Sequence, residues 1–152
     1  MQSEILLENK LYLIGNHNAV SKIQNNYSNL FDEYPLIYRE EGSATRLVME
    51  NYLQRNGIQS AKKMQLTSNE AVKQAVIAGL GWSIMPIIGI RNEVESGLLK
   101  IIPMKGLPIQ TTWQLIWLKE KKLSPIAESY LNYLAKEKDN IIQNYFALPS
   151  QK

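Results

Sequence analysis

The sequence contains no cysteine and only one histidine, His17. Without cysteine the chain cannot form a disulfide, a thiolate metal site or a cysteine nucleophile. A single imidazole also excludes any site that needs two, and a histidine-based catalytic triad would have to use His17 itself. This residue lies among polar neighbours that do not resemble metal or catalytic partners, so we expect it to be exposed.

Long hydrophobic runs and long runs of one charge are also absent. No stretch of about 20 apolar residues occurs, so the sequence predicts no membrane-spanning helix. The N-terminus has neither a basic start nor a long apolar segment, which argues against a secretory signal. The formal net charge of +3 is spread along the chain, unlike the clustered charge of a nucleic-acid-binding surface. We therefore expect a cytoplasmic protein that makes no contact with membranes.

The composition of the chain is that of an ordinary globular protein. Hydrophobic residues make up 45% and charged residues 20% of the 152 residues, which argues against disorder. A chain of this length can bury a core without disulfides or metal ions. The length fits one domain, or two small lobes that share a core.

Strand patterns alternate with helix patterns along the sequence. The predicted strands are 11–14, 36–38, 62–66, 82–85, 98–102 and 111–118. The predicted helices are 44–56, about 67–79, 88–95 and one beginning at 124. Residues 16–32 are predicted to be a loop with a short helix, and 140–152 are left unassigned. Such alternation predicts an α/β fold with a mainly parallel sheet flanked by helices.

Hydroxyl residues mark the starts of the predicted helices. Ser43 is a good N-cap because its hydroxyl can accept a hydrogen bond from a free amide of the first turn. Thr67 and Glu70 have the spacing of a capping box, and Ser124 followed by Pro125 opens the last helix. The apolar faces expected to pack on the core are Ala44, Leu47, Val48 and Tyr52, then Val72, Ala75, Val76 and Gly79, then Ala127, Tyr130, Leu131 and Leu134.

Two strand-to-helix turns carry the residues best suited to bind a ligand. The first contains Gly42, which allows close approach of a ligand to the backbone, followed by the hydroxyls of Ser43 and Thr45. The second, Thr67 to Asn69, has the same order of strand, polar side chains and helix start. Ligands of α/β sheets bind outside the carboxyl ends of the strands, at helix N-termini. Two N-termini facing one cleft favour a small anion such as a carboxylate, phosphate or sulfate.

Each turn also has a simpler interpretation. Serine and threonine at helix starts often act only as caps. The adjacent Glu40 and Glu41 need not face each other as an acid–base pair, and acidic residues in a loop are commonly solvated. Gly79-Leu80-Gly81 follows a helix and precedes a strand, the reverse of a dinucleotide-binding loop, so no cofactor is indicated. Core packing is the expected role of the tryptophans, Trp82, Trp113 and Trp117.

Several stretches resemble the effector-binding domain of LysR-type bacterial transcriptional regulators. The entry into the second lobe of those domains is similar to PLIYREEGSATR, which runs from Pro35 to Arg46; the turn there commonly reads Arg-Glu-x-Gly-Ser-Gly-Thr-Arg. Their capped helix, Gly-x-Gly turn and strand ending in proline are similar to SNEAVKQAVIAGLGWSIMP, from Ser68 to Pro86. Residues 97–100 and 124–127 fit the pattern that follows. The order and spacing of these motifs, over about residues 11–134, are more specific than any one of them.

The resemblance implies a fold like that of the type 2 periplasmic binding proteins, with two α/β lobes joined by two crossing strands and a small ligand between the lobes. It implies a domain that senses a metabolite and signals to an attached DNA-binding winged helix-turn-helix, without catalysis, cofactor or metal. Carried over by position, the effector-binding residues are Gly42, Ser43, Thr45, Thr67, Ser68 and Asn69, with Ile84 and Pro86 near the cleft floor or hinge.

The sequence departs from the family pattern in two ways. Ala44 replaces the usual second glycine of the first turn, which narrows the space there. The chain is also short. By the resemblance, about 15–112 form a complete second lobe, whereas 1–14 and 113–152 supply the crossing strands and a remnant of the first lobe, and the winged helix-turn-helix is absent. We expect poor effector affinity and an exposed apolar remnant that favours a homo-oligomer.

Two other functions are compatible with the same fold. A solute-binding protein for transport would need a signal peptide and two complete lobes, and neither is apparent. An enzyme with Glu40 or Glu41 as its base would need a second polar group in a cleft, and the sequence offers no evident partner. A shared fold alone does not decide among such functions. The sequence favours the ligand sensor.

Overall fold

The computed structural model describes residues 1–23 and 30–149. The strands are β1 (Gln2–Asn16), β2 (Leu36–Arg39), β3 (Lys63–Leu66), β4 (Ser83–Pro86), β5 (Leu99–Ile101) and β6 (Ile109–Trp117). The α-helices are α1 (His17–Lys22), α2 (Leu30–Glu33), α3 (Ala44–Arg55), α4 (Asn69–Ile77), α5 (Arg91–Glu95) and α6 (Pro125–Ile141). A 3₁₀ turn spans Ile87–Gly89 and a π-helical turn spans Ile142–Phe146. Parts of the predicted 16–32 loop and of the tail lie outside the described residues.

The described strands form two sheets, β3–β2 and β4–β1–β5 with β6 also paired to β1, and one bridge joins β2 to the start of β4. β2 pairs in parallel with β3 over its whole length. The amide of Ile37 donates to the carbonyl of Trp82 at 2.8 Å, which joins β2 in parallel to the start of β4. β1 pairs antiparallel with both β4 and β5. The described strands β2, β3, β4 and β5 point the same way, as the predicted parallel sheet requires, but among them only β2 pairs in parallel, with β3 and through one bridge with the start of β4. β1 runs in the opposite direction between two of them.

The longest strand, β1, leaves this sheet and continues beyond it. From Leu11 to Ile14 it pairs with β4, as expected for the predicted strand 11–14. From Gln2 to Leu11 it pairs antiparallel with β6, with an irregularity between Ile5 and Leu7. Leu11 is the residue at which β1 contacts both partners, opposite Pro86 and Ile109. β1 and β6 together form a two-stranded antiparallel ribbon over the residues for which crossing strands were predicted.

The core packs on both faces of the sheet. On one face, α3 and Trp82 pack against Leu11 and Leu13 of β1. On the other, α4 and the 3₁₀ turn pack against Tyr12 and Ile14 of the same strand. The alternation of β1 between two buried faces follows from the two-residue period of a strand. This sandwich fixes the positions of the strand ends and of the turns that follow them.

Two predicted helix features are wrong in detail. The buried face of α3 consists of Met49, Tyr52 and Leu53, while Leu47 and Ala44 are exposed. The hydrophobic pattern of this helix is weak, so several faces fitted the sequence.

The cap of α4 is Ser68 and not the predicted Thr67. The Ser68 hydroxyl accepts a hydrogen bond from the amide of Ala71 at 3.0 Å. Helix α4 begins one residue later than a capping box with Glu70 requires. The predicted buried stripe of α4 is confirmed for Val72, Ala75 and Val76.

The tryptophans divide between the core and the surface. Trp82 is buried and its indole N–H donates to the carbonyl of Leu30 at 2.9 Å. Trp113 is 41% exposed and meets Phe146 edge to face at 5.3 Å between ring centroids, and Trp117 is half-buried. Core packing is thus confirmed for Trp82 only. His17, at the start of α1, is exposed as expected.

Helix α6 contains no buried residue. Of its predicted apolar face, Ala127, Leu131 and Leu134 are half-buried, but Tyr130 is exposed. The helix packs loosely beside β1 and β6, where Ile116 and other apolar side chains also face solvent. None of the described helices combines the length and hydrophobicity that crossing a bilayer requires.

Candidate functional site

The two predicted turns lie side by side at one edge of the sheet. β2 and β3 are parallel neighbours, and Arg39 at the end of β2 stands opposite Leu66 at the end of β3. The chain enters α3 after the first strand and α4 after the second, so both helix N-termini open at the carboxyl edge. The sheet topology therefore brings together the two segments that the sequence identified separately.

The first turn is built for a close approach of the backbone. Gly42 has φ of +86°, a conformation that glycine adopts at no steric cost, and a side chain there would meet open space. Ser43 is the N-cap of α3, and its hydroxyl accepts from the amide of Arg46 at 3.5 Å. Thr45 is half-buried in the first helical turn. The first amides of a helix have no partner within it, which leaves donors at this point.

The second turn has a similar arrangement. Ser68 caps α4 as described above, and Thr67 before it is exposed. Asn69, the first residue of α4, is half-buried. Its side-chain oxygen accepts a hydrogen bond from Nη1 of Arg39, a residue of β2. A side-chain contact therefore links the end of β2, three residues before Gly42 of the first turn, to the second turn.

Arg39 is also held by its neighbour Glu40. Its Nε and Nη2 donate to the two carboxylate oxygens of Glu40, each at 2.8 Å. These hydrogen bonds lower the pKa of the Glu40 carboxyl from 4.5 to about 2. The expectation that both adjacent glutamates are solvated loop residues is therefore wrong for Glu40. It is right for Glu41, whose side chain is 88% exposed.

Arg46 makes a second set of contacts next to the first turn. Its Nε donates to Glu50 at 2.8 Å, and its Nη1 donates to the side chain of Gln65 at 2.6 Å and to the carbonyl of Arg39 at 3.2 Å. These bonds tie α3 to the ends of β2 and β3. Arg46 is thus a structural residue of the site, not a free cation on an exposed helix face.

The remaining predicted site residues lie at the end of β4. Pro86 is buried at the carboxyl end of this strand, opposite Leu11 of β1. Ile84 is 1% exposed and packs in the core beneath the sheet edge. The structure therefore places the Ile84 side chain behind the site, where it supports the floor and does not present a surface to a ligand.

In the part of the chain that the structure describes, the first turn faces open space at Gly42. A groove of about 550 Å³ lies between α3 and β3, and its lining includes Tyr38, Glu50 and Lys63 but no residue of the two turns. In the described ranges 1–23 and 30–149, no group of three or more histidine and acidic side chains could hold a metal ion. A ligand at the turns would need a second wall to enclose it.

Sequence reasoning missed the role of Arg39 and Gln65 in this site. Both stand on strands, and their partners are 30 and 19 residues away along the chain. A charged residue at the last position of a strand, directly followed by an opposite charge, is the only signal of this network that the sequence carries.

Comparison with known proteins identifies relatives over most of the chain. A family model described as the LysR substrate binding domain matches residues 4–139. The HTH-type transcriptional activator CmpR of Synechocystis is 38% identical over 130 residues, which are 84% of this chain and 42% of that protein. A RuBisCO operon transcriptional regulator of Allochromatium vinosum is 33% identical over 90% of this chain and 46% of its own length. The chain thus spans less than half the length of these curated relatives.

Comparison with solved structures identifies proteins of similar fold. The CcmR regulatory domain of Synechocystis, solved in complex with 2-PG, superposes with a TM-score of 0.79 at 28% identity, covering 92% of this chain and 68% of that one. The regulatory domain of HypT from Salmonella typhimurium superposes with a TM-score of 0.71 at 20% identity, covering 91% and 66%. The second likeness concerns the fold alone. Both support the α/β fold, similar to that of the periplasmic binding proteins, expected from the sequence.

Proposed function

The chain belongs to the LysR substrate-binding domain family, and on that basis we propose that it is the ligand-sensing part of a transcriptional regulator. A small anionic metabolite binds at the two turns and alters how the longer protein binds DNA. DNA is contacted through a winged helix-turn-helix outside these 152 residues. The protein acts in the cytoplasm, where its DNA target lies, and it works as a homo-oligomer.

One observation supports this proposal most directly. The two strand-to-helix turns lie at one carboxyl edge and are linked by the contact between Arg39 and Asn69. Two helix N-termini at one edge present backbone amides and a favourable dipole to an anion. The effector-binding residues on this lobe are Gly42, Ser43, Thr45, Thr67, Ser68 and Asn69, with Pro86 at the border and Ile84 as support from below.

The relatives agree with a sensor for a small molecule. The CcmR regulatory domain, 28% identical to this chain, was solved with 2-PG bound. The curated relatives are named as transcriptional activators and regulators. We therefore choose 2-PG as the first compound to test on this chain.

A catalytic role for the acidic pair has no support in the geometry. A general base must be available to take a proton near neutral pH. Both oxygens of Glu40 are engaged by Arg39, and its pKa is about 2. Glu41 is exposed and lies 4.0 Å from Arg46. The engagement of Glu40 makes it a poor base, which favours the sensor over an enzyme.

Thermal stability in the presence of candidate ligands tests the proposal. A ligand that binds the folded state raises the melting temperature. We expect 2-PG, phosphate or sulfate at millimolar concentration to raise the Tm of the chain, and neutral or cationic compounds to have no effect. Stabilisation by neutral or cationic compounds alone would contradict the anion site.

Thr67→Val provides a matched variant for this experiment. Its hydroxyl has no hydrogen-bond partner in the part of the chain that the structure describes, so the substitution should leave the Tm unchanged without ligand. We expect it to reduce the ligand-induced shift. Thr112→Val, on the exposed side of β6, is the control and should respond to 2-PG like the unmodified chain. Equal responses of both variants would exclude Thr67 from the site.

A further inference from the structure

The side-chain amide of Asn69 has a fixed orientation. A guanidinium group has only donors, so the oxygen of the Asn69 carboxamide must face Arg39. Its Nδ2 then points away from Arg39, and within 1–23 and 30–149 no acceptor contacts it. Asn69 is the first residue of α4, and its side chain is half-buried. The result is a donor with a defined direction, next to the free amides of the same helix start.

Glu40 fixes the position of the Arg39 side chain. The two residues form a bidentate pair, with both N–H to O distances at 2.8 Å, and the Arg39 side chain is only 18% exposed. Bidentate arginine–carboxylate pairs restrict geometry as well as contributing energy. With Nε and Nη2 committed to Glu40, Nη1 is left to meet Asn69. The order of contacts is Glu40 to Arg39 to Asn69.

The two arginines of the site are both paired internally. Glu40 balances Arg39 and Glu50 balances Arg46. Neither guanidinium therefore offers an uncompensated charge to a ligand. The donors that remain at the turns are neutral: helix amides, hydroxyls and Nδ2 of Asn69. A site of this kind binds an oxyanion through directed hydrogen bonds, as helix N-termini do.

We propose that Arg39 and Glu40 are positioning residues of the effector site, which aim Nδ2 of Asn69 so that it donates to a phosphate or carboxylate oxygen of the effector. This inference rests on the proposed function. It adds that recognition on this lobe depends on neutral donors and that two charged residues act only through Asn69. Their substitution changes ligand affinity without removing a ligand contact.

Titration of the isotope-labelled chain with 2-PG tests the inference by NMR. The side-chain N–H₂ signals of Asn69 should shift on binding, because Nδ2 donates directly. Arg39→Gln should weaken 2-PG binding about tenfold or more, since a hydrogen bond to a charged group is lost from its aligned geometry. Arg91→Gln is the control: Arg91 donates to the carbonyl of Ala147 and pairs with Glu95, so its loss affects stability but not 2-PG affinity.

The Asn69→Asp variant distinguishes loss of the Asn69 donor from loss of the folded state. The two side chains have the same shape, and aspartate would form an ion pair with Arg39, so the Tm should be retained or raised. The variant lacks Nδ2 and should lose 2-PG binding. The inference is overturned if the unmodified chain binds 2-PG while its Asn69 signals stay in place, or if Arg39→Gln binds as tightly as the unmodified chain. If the unmodified chain binds no anion at all, the proposed function fails and this inference fails with it.

Discussion

At the scale of single residues, the pair of Arg39 and Glu40 makes the stability of the fold depend on pH. The carboxyl of Glu40 has its pKa lowered from 4.5 to about 2 by the hydrogen bonds from Arg39. A carboxyl group whose pKa is lower in the folded state than in the unfolded state stabilises the fold at pH values above the unfolded-state pKa. This contribution is lost as the pH falls through the folded-state pKa. The relevant window is therefore pH 4.5 down to about 2.

Glu40→Gln is expected to remove this dependence. At neutral pH the variant should be less stable than the unmodified chain, and the difference should shrink as pH falls from 4.5 towards 2. Urea unfolding at a series of pH values measures it. Glu41→Gln is the neighbouring control and should change stability far less, because Glu41 is 88% exposed and 4.0 Å from its nearest cation. If the free energies of unfolding of Glu40→Gln and the unmodified chain differ by a constant amount across this pH range, the Arg39–Glu40 pair is not the cause of the pH dependence.

Gly81 is a second residue whose identity the packing dictates. A Cβ atom at this position would collide with the backbone carbonyl oxygen of Pro35, because Trp82 hydrogen-bonds that carbonyl and holds the two segments together. The collision involves backbone atoms, which cannot move aside as a flexible side chain can. Close approach of two strands is thus the reason for glycine here.

Gly81→Ala should lower the free energy of unfolding by about 3 kcal/mol, at the upper end of the usual overpacking cost. Gly89→Ala is a matched control, because a Cβ at Gly89 meets only the end of Met85 at 4.0 Å. Chemical denaturation of both variants gives the comparison. Equal stabilities would mean that β2 and β4 are not held as closely as described.

At the scale of elements, the crossing pair of β1 and β6 carries a buried polar contact. Asn9 of β1 is 5% exposed and stands opposite Thr111 of β6. Its Nδ2 donates to the Thr111 hydroxyl at 3.3 Å, while its Oδ1 is buried without a hydrogen-bond partner among the described residues. A buried acceptor without a partner costs stability.

Asn9→Leu should therefore raise the free energy of unfolding by about 1 kcal/mol, because a side chain of similar size replaces an unsatisfied polar group. Thr111→Val should do the opposite, since it removes the hydroxyl to which Asn9 Nδ2 donates. Thermal unfolding of the two variants tests the pair. A loss of stability in Asn9→Leu would show that the Asn9 oxygen has a partner, such as a bound water.

The elements that local patterns define are those that the sequence predicted well. Strands β2, β3, β4 and β5 and helices α3 and α4 lie close to their predicted positions, because short apolar runs, caps and glycines mark them. The N-terminal half of β1 was missed, since its polar residues gain a strand structure only by pairing with β6. The predicted helix 88–95 begins as a 3₁₀ turn and continues as α5.

The sequence predicted which segments form the candidate site but not the side-chain contacts between them. Parallel strands place their following turns at one edge, so the proximity of 42–45 and 67–69 follows from the topology. The contact between Arg39 and Asn69 does not, because it depends on the register of β2 and β3. The solvated character assigned to Glu40 failed for a different reason: its partner, Arg39, is the adjacent residue, and the side-chain conformations that pair the two are not visible in the sequence.

At the scale of the whole molecule, exposed apolar side chains are concentrated on β1, β6, α6 and the segment after it. They are Ile5, Trp113, Ile116, Ile126, Tyr130, Tyr133 and Tyr145. Exposed apolar side chains that adjoin each other mark an interaction site or a tendency to associate. The described residues from 36 to 99, which carry the two turns, include fewer such side chains.

We expect the chain to self-associate through this surface. Sedimentation velocity should give a weight-average mass that rises with concentration, and Ile116→Lys should shift the distribution towards monomer, because a charge cannot be buried unpaired. Leu98→Lys, at an exposed turn on the other lobe, should leave association unchanged. A monomer at all concentrations would contradict the expected homo-oligomer.

We propose above that an anion binds where two helix N-termini open at one sheet edge. Backbone amide shifts of the chain, recorded while 2-PG is added, test it most directly. We predict that the largest changes occur at residues 42–46 and 68–70. Absence of any change, or largest changes in the groove lined by Tyr38, Glu50 and Lys63, would contradict the account.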